Sequence, residues 1–221
     1  SPAGQIADRH LVAAYDDYLA LDTFGTECAA VTTEFENVPA QTLDYLSKFI
    51  AVHPAASAVA ICQNRIAEKR FLAEHGIAHG PVAIIRSDAA DDALFPAVLK
   101  VARFGYDGKG QARVANRGEA LAAFHQFKGE PCVLEKMLAL DAEISVVLAR
   151  DAAGTVRTFA PGENRHRNGI LDITIAPASL GDALNARACA IASEIAARLD
   201  YVGTLGVEFF VLPSGKLLVN E

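Results

Sequence analysis

Gly105-Tyr106-Asp107-Gly108-Lys109-Gly110-Gln111 packs three glycines and a lysine into seven residues, and just before it the apolar run Ala97-Val98-Leu99 ends in Lys100. Glycine lets a backbone approach a ligand closely and take up positive φ. Successive free N–H groups in such a loop form a cradle for anionic oxygens. Two lysines beside that cradle point to a polyphosphate. The G-x-x-x-x-G-K-[ST] spacing of a Walker A loop is absent. The pattern fits a glycine flap over a nucleotide, fed by a strand that ends in lysine.

Outward from the flap, strands and helices alternate. The patterning predicts strands over 28–33, 51–53, 81–85, 97–102, 131–135, 143–150, 155–160, 205–212 and 217–221. It predicts helices over 40–49, 61–75, 118–127 and 182–199, the last from Leu184, Ala188, Ile191, Ile195 and Leu199 at three- and four-residue steps. In 143–150, Ile144, Val146 and Leu148 share one face, so Glu143 and Ser145 take the other. In 205–212, Glu208 and Phe210 lie opposite Leu205, Val207, Phe209 and Val211.

The runs carrying Glu208 and Glu221 flank the turn Pro213-Ser214-Gly215 and should pair as a hairpin. Two carboxylates and the Asn220 amide then meet on a mostly buried sheet. Unpartnered buried carboxylates are costly, and a divalent cation shared with nucleotide phosphates is one partner for them. A solvated strand end at Glu221 with a paired surface residue at Glu208 is the other reading. Cys132-Val133-Leu134-Glu135-Lys136-Met137-Leu138 is a buried strand running into charge. Its end could read an adenine edge with Met137 and Leu138 against the ring, and Glu143 could accept from ribose hydroxyls. On the chemistry of these residues alone, an ordinary strand with surface charges is the preferred reading. Glu34 and Glu36 flank Phe35 at a strand's carboxyl end, where α/β sheets bind ligands; acids before a helix are also favoured by its dipole. Glu163 to Gly169 reads as a polar turn whose two arginines and His166 could meet phosphate or bicarbonate, or simply water.

The chain has 221 residues, 52% hydrophobic and 21% charged, enough for one large domain or two small ones. A net charge of −7 with scattered basic residues argues against a nucleic-acid surface. No apolar run approaches the roughly 18 residues that span a bilayer. Cys28, Cys62, Cys132 and Cys189 lie far apart without a C-x-x-C, as free thiols of a reducing cytosol would. The chain opens in Ser1-Pro2-Ala3-Gly4 and stops at Glu221 within an expected strand, so a piece of a longer protein is expected.

Taken in order, EFENVPA from Glu34, NRIAEKRFL from Asn64, LK before GYDGKGQ, VLEKM, AEISVVLAR, ENRHRNGIL, YVGTLGVEFFV and LLVNE resemble the ATP-grasp superfamily, and within it the N5-carboxyaminoimidazole ribonucleotide synthetases. The resemblance covers nearly the whole chain. It implies an α/β (α+β) class with an ATP-grasp fold. Residues 1–60 would be the C-terminal part of a Rossmann-like pre-ATP-grasp domain and 61–221 the ATP-grasp domain, truncated at its C-terminus, with a flap-bearing subdomain over 81–140. It implies ATP and Mg2+ as cofactors, bicarbonate and 5-aminoimidazole ribonucleotide as substrates, a cytoplasmic homodimer, and no nucleic-acid or membrane partner. By the resemblance, Arg65 and Lys100 match phosphate contacts and Gly105 to Gln111 (with Tyr106, Asp107, Gly108, Lys109 and Gly110 between) the flap. Glu135, Lys136, Met137 and Leu138 match an adenine-reading linker, Glu143 a ribose contact, and His166 a nucleotide-proximal histidine. Glu208 and Glu221 match magnesium ligands, with Asn220 beside them. Glu34, Glu36, Tyr106, Asp107 and Lys109 fall where bicarbonate and the ribonucleotide are met, with Glu36, Tyr106 and Lys109 as the catalytic candidates. With segments missing at both ends, the stretch by itself is expected to be a poor catalyst. Other ATP-grasp ligases, of the glycinamide ribonucleotide transformylase or biotin carboxylase type, and a non-catalytic adenine-nucleotide-binding module are the alternatives.

Overall fold

Two units, Ser1–Ala60 and Ile61–Glu221, each hold most of their own contacts. The computed structural model describes residues 2–86, 92–103, 105, 110–167 and 169–221. The first unit runs α1 (Pro2–Ile6), α2 (Tyr18–Glu27), β1 (Ala30–Val31), α3 (Ala40–Leu46), β2 (Ala51–Val52) and into α4 (Ala56–Cys62). The β1–α3–β2 passage puts two strands side by side in parallel, as a helical crossover allows. Leu21, Val31, Leu43, Leu46, Val52 and Val59 form its core. The expected strand 28–33 and helix 40–49 are thus shorter than read, and α1 and α2 were not anticipated.

The expected single helix 61–75 is two helices. α4 stops at Cys62, and α5 (Arg65–Glu74) starts afresh because the Asn64 side chain accepts from the N–H groups of Ile66 and Ala67. That bond satisfies orphan donors at the new N-terminus.

The second unit contains two antiparallel sheets. The first has the order β3-β6-β4-β5, built from β3 (Val82–Ile85), β4 (Ala97–Val101), β5 (Gln111–Val114) and β6 (Cys132–Lys136). Helix α6 (Arg117–Gln126), capped by Asn116, covers one face; Leu99, Val114, Phe124, Cys132 and Leu134 fill that core. The strand period of two sends Val133 and Glu135 to the opposite face. There Val133 packs with Ile66 of α5 and Ala102. Gly110 lies against the end of β4, its carbonyl accepting from Val101 N–H at 2.8 Å. Its φ is +70°, and a Cβ there would lie 2.5 Å from Val101 Cγ2, so glycine is required.

The larger sheet comprises β7 (Ala142–Arg150), β8 (Val156–Thr158), β9 (Gly162–Arg167), β10 (Ile170–Ile175), β11 (Gly203–Val211) and β12 (Leu217–Val219), in the order β10-β9-β7-β11-β12 with β8 also on β7. Ile144, Val146, Leu148, Val207, Phe209 and Val211 are buried on one face, against which helix α7 (Asp182–Arg198) packs. The expected division of 143–150 and 205–212 holds, with Ile144, Val146 and Leu148 in β7 and Leu205, Val207, Phe209 and Val211 in β11 buried on one face and Glu143, Ser145, Glu208 and Phe210 on the other. Two expectations do not. The segment 163–169, read as a polar turn, is for the most part β9, hydrogen-bonded between β7 and β10. The final strand ends at Val219, so Glu221 lies beyond it. Among the described residues, no helix is long and apolar enough to cross a membrane.

Candidate functional site

In the second unit, α5, β4, β6, β11 and the segment after β12 bring a chain of charges together. Glu208 on β11 and the 220–221 backbone remain paired past the end of β12: Glu208 N–H donates to Glu221 O at 2.7 Å, and Asn220 N–H to Glu208 O at 2.8 Å. The Asn220 side-chain amide donates to Glu208 Oε2 at 3.3 Å. The carboxyl group of Glu208 is held above its ordinary value by burial first and by the charge of Glu221 second. The hairpin has therefore placed two acids close enough to repel.

Arg65 opens α5 and donates to Glu221 Oε2 at 2.9 Å. Burial disfavours its charge, but Glu221, Glu68 and Glu135 together outweigh burial, and the guanidinium is held more firmly protonated. Lys100, next to last in β4, lies on the α5 side of the small sheet, diagonal to Glu135, since Lys100 stands across from Val133 and Val98 across from Glu135. Its Nζ lies 2.5 Å from Glu135 Oε2. Burial works against the Glu135 carboxylate, yet Lys100 and then Lys69 win, and its pKa is lowered. So Glu135, expected to belong to an outward adenine reader, turns its side chain inward into ion pairs. Lys136 alternates to the other face, where its Nζ reaches Ala93 O at 3.2 Å. Backbone donors are also taken: Lys136 N–H goes to Pro81 O and Met137 N–H to Pro96 O. Met137 is exposed, and Leu138 rests by Gly80.

On the open face of the large sheet, His166 Nδ1 lies 3.3 Å from Glu143 Oε2. Both act electrostatically on Glu208, which places the ribose and histidine candidates beside the acid pair. Gln111 reaches the same region, since a Cβ on Gly169 would meet its Nε2 at 3.3 Å. Gly105 precedes residues 106–109; Tyr106, Asp107, Gly108 and Lys109 lie outside the described residues. Glu34 and Glu36 belong to the first unit, both exposed, around the turn after β1.

Three residues were missed. Lys69 on α5 is 6% exposed. It contacts Glu68 and Glu135 at 3.3 Å each and donates to the Asn220 carbonyl. Glu68 is raised to about 7, chiefly by burial. The signal was available: Lys69 sits midway between Ile66 and Leu72 on the buried stripe of α5, where a charge needs partners. Asn164, 6% exposed on β9, accepts from Ser145 and Thr174; nothing in its spacing marked it.

Cations and acids here could neutralise a polyphosphate and a metal ion together. Among the described residues no three His, Cys, Asp or Glu cluster as a metal site. The two carboxylates and one amide of 208, 220 and 221 are oxygen donors that suit a hard cation keeping phosphate or water ligands.

The chain is 41% identical to the N5-carboxyaminoimidazole ribonucleotide synthase of Brucella melitensis, over 100% of this chain and 63% of that protein. The Bacillus subtilis protein of that name is 34% identical over 100% of this chain and 60% of its own length. The chain thus spans about three-fifths of these relatives. Among solved structures, an ADP complex of an N5-carboxyaminoimidazole ribonucleotide synthetase superposes with a TM-score of 0.94 at 33% identity, over 100% of this chain and 60% of that one. The ADP-bound Staphylococcus aureus synthetase gives 0.92 at 33%, with the same coverage. A ribonucleotide synthetase pre-ATP-grasp domain matches residues 1–63, and an ATP-grasp domain matches residues 71–221. With the two sheets and the acid pair in place, the chain belongs to the ATP-grasp family.

Proposed function

We propose that this chain carries the ATP site of an ATP-dependent carbon–nitrogen ligase, one that carboxylates 5-aminoimidazole ribonucleotide with bicarbonate to the N5-carboxyamino product in purine biosynthesis. The observation that carries the reading is the convergence of Glu208 and Glu221 beside Arg65, with Lys100 tied to the same charge network. The 41% identity to a synthase of that name along the whole chain supports the choice of substrates.

The chemistry accounts for such a site. Bicarbonate is a poor electrophile because hydroxide would have to leave. Its oxygen attacks the γ-phosphorus of ATP, ADP departs, and carboxyphosphate forms. The ribonucleotide amine then takes the carboxyl carbon, directly or as released CO2, and phosphate departs. Phosphoryl transfer needs positioning and charge neutralisation more than covalent help. In this proposal Arg65 and Lys100 hold the phosphates, and Glu208 and Glu221, with Asn220, hold Mg2+, which would neutralise charge on the transferring group. Glu135, Lys136, Met137 and Leu138 border the adenine. Leu138 N–H follows two backbone donors already in use and has no acceptor among the described residues. Glu143, oriented by His166, meets the ribose.

Gly105 to Gln111 closes over the nucleotide and keeps water from carboxyphosphate. Glu36, Tyr106 and Lys109, with Glu34 and Asp107, enter as bicarbonate and acceptor contacts on the resemblance alone. A division at 60/61 with a flap-bearing part over 81–140, a cytoplasmic location and a homodimer complete the proposal. The test is a steady-state assay of phosphate release by the whole protein, each substrate omitted in turn. Release that requires ATP, bicarbonate and the aminoimidazole ribonucleotide together is expected. Release indifferent to the ribonucleotide would overturn the choice of acceptor.

A further inference from the structure

Lys69 is the site cation that the proposed chemistry leaves without a task. Among the described residues it is the only charged residue that is buried, at 6% exposure. Its ammonium lies 3.3 Å from Glu135 Oε1 and 3.3 Å from Glu68 Oε1, and it donates to the carbonyl of Asn220, next to Glu221. Glu135 holds a second cation on its other oxygen, Lys100, at 2.5 Å. One buried carboxylate thus grips two lysines of unlike character. Lys100 stands next to last in β4, in the proposed phosphate region. Lys69 comes from the inward stripe of α5 and is anchored to backbone on its far side.

A phosphate that recruits Lys100 takes it from Glu135. A buried carboxylate stripped of its only cation is strongly disfavoured, so with Lys100 as sole partner the exchange would oppose nucleotide binding. With Lys69 in place, Glu135 keeps a charge partner throughout.

We propose that Lys69 is a positioning residue: it retains Glu135 and so frees Lys100 to change partners from carboxylate to phosphate. The inference rests on the reading of Lys100 as a phosphate contact. It differs from a packing role in one respect, because the need for Lys69 should vanish when Glu135 carries no charge.

Calorimetric titration of MgATP into the whole wild-type protein, Lys69→Met, Glu135→Gln and the double variant tests this, with thermal melts alongside. Lys69→Met is expected to weaken binding by about tenfold or more, and the double variant to recover to within about threefold of Glu135→Gln. Wild-type affinity in Lys69→Met, or a double variant as weak as Lys69→Met, overturns the proposal. If Lys69→Met does not melt cooperatively, Glu135→Gln alone decides. It removes the acid that competes for Lys100, so binding tighter than wild type supports the exchange, and equal or weaker binding overturns it. A wild-type protein that binds no MgATP overturns the proposed site and this inference together; a binding wild type with the wrong variant pattern overturns the role of Lys69 alone.

Discussion

Replacing Glu68 by Gln should stabilise the protein at pH 8 far more than at pH 5. The Glu68 side chain is 12% exposed. Its pKa rises from 4.5 to about 7, with burial the largest cause, Lys69 opposing it and Glu221 adding to it. A folded-state value above the unfolded one means that the fold favours the protonated acid. The stability this contributes is fully present below the unfolded pKa and is lost as pH climbs through the folded one. The full difference, from 4.5 to about 7, corresponds to about 3 kcal/mol at 1.36 kcal/mol per pH unit. At pH 5 the unfolded acid is already mostly ionised, so the part lost between pH 5 and pH 8 is about 2.5 kcal/mol. Gln mimics the neutral form at both pH values. Glu135, whose pKa moves down, is common to both proteins and largely cancels in the comparison. Urea unfolding of wild type and Glu68→Gln at the two pH values, followed by circular dichroism, measures the effect. An advantage for the variant that differs by less than about 0.5 kcal/mol between pH 5 and pH 8 would refute the placement of Glu68 as a buried, poorly compensated acid.

If Glu208 and Glu221 hold the proposed Mg2+, Glu208→Gln or Glu221→Gln should lower magnesium-dependent phosphate release by about a hundredfold or more, because each would remove a charge facing the metal and phosphates; a steady-state assay across Mg2+ concentrations checks this. Asn64→Ala removes the side chain that accepts from Ile66 and Ala67 N–H, and a thermal melt should register a loss of about 1 kcal/mol. Phe209, 1% exposed between the large sheet and α7, should cost about 3–5 kcal/mol on truncation to Ala, measured by urea unfolding.

The sequence was most legible where burial was one-sided. Ile144, Val146 and Leu148 recur at every second position because one face of β7 is buried on the α7 side, while Glu143, Ser145, Val147 and Ala149 take the other, and that period was visible without coordinates. β9 was invisible for the converse reason. Glu163, Asn164, Arg165, His166 and Arg167 show no apolar period, and the burial of Asn164 is satisfied by hydroxyls from β7 and β10. The break before α5 was hidden by the apolar Ile61-Cys62 that continues the helical look up to its cap. The acid pair was legible because turn chemistry fixed the register of its hairpin. Lys69 was not, since hydrophobic patterning treats a lysine on an inward stripe as noise, whereas here tertiary partners set its place. β1 and β2 were expected over 28–33 and 51–53, but strands of two residues carry no period that could fix their ends.

The ion pair between Arg65 and Glu221 joins residues 156 positions apart. Closing so long a loop is entropically costly until intervening structure shortens it, and non-local contacts of this kind slow folding. The proposed nucleotide site is therefore assembled only once α5 and the segment after β12 have met. If that site takes nucleotide, ligand occupancy and the folding of the second unit form one linked equilibrium, and saturating nucleotide should raise the melting temperature of that unit.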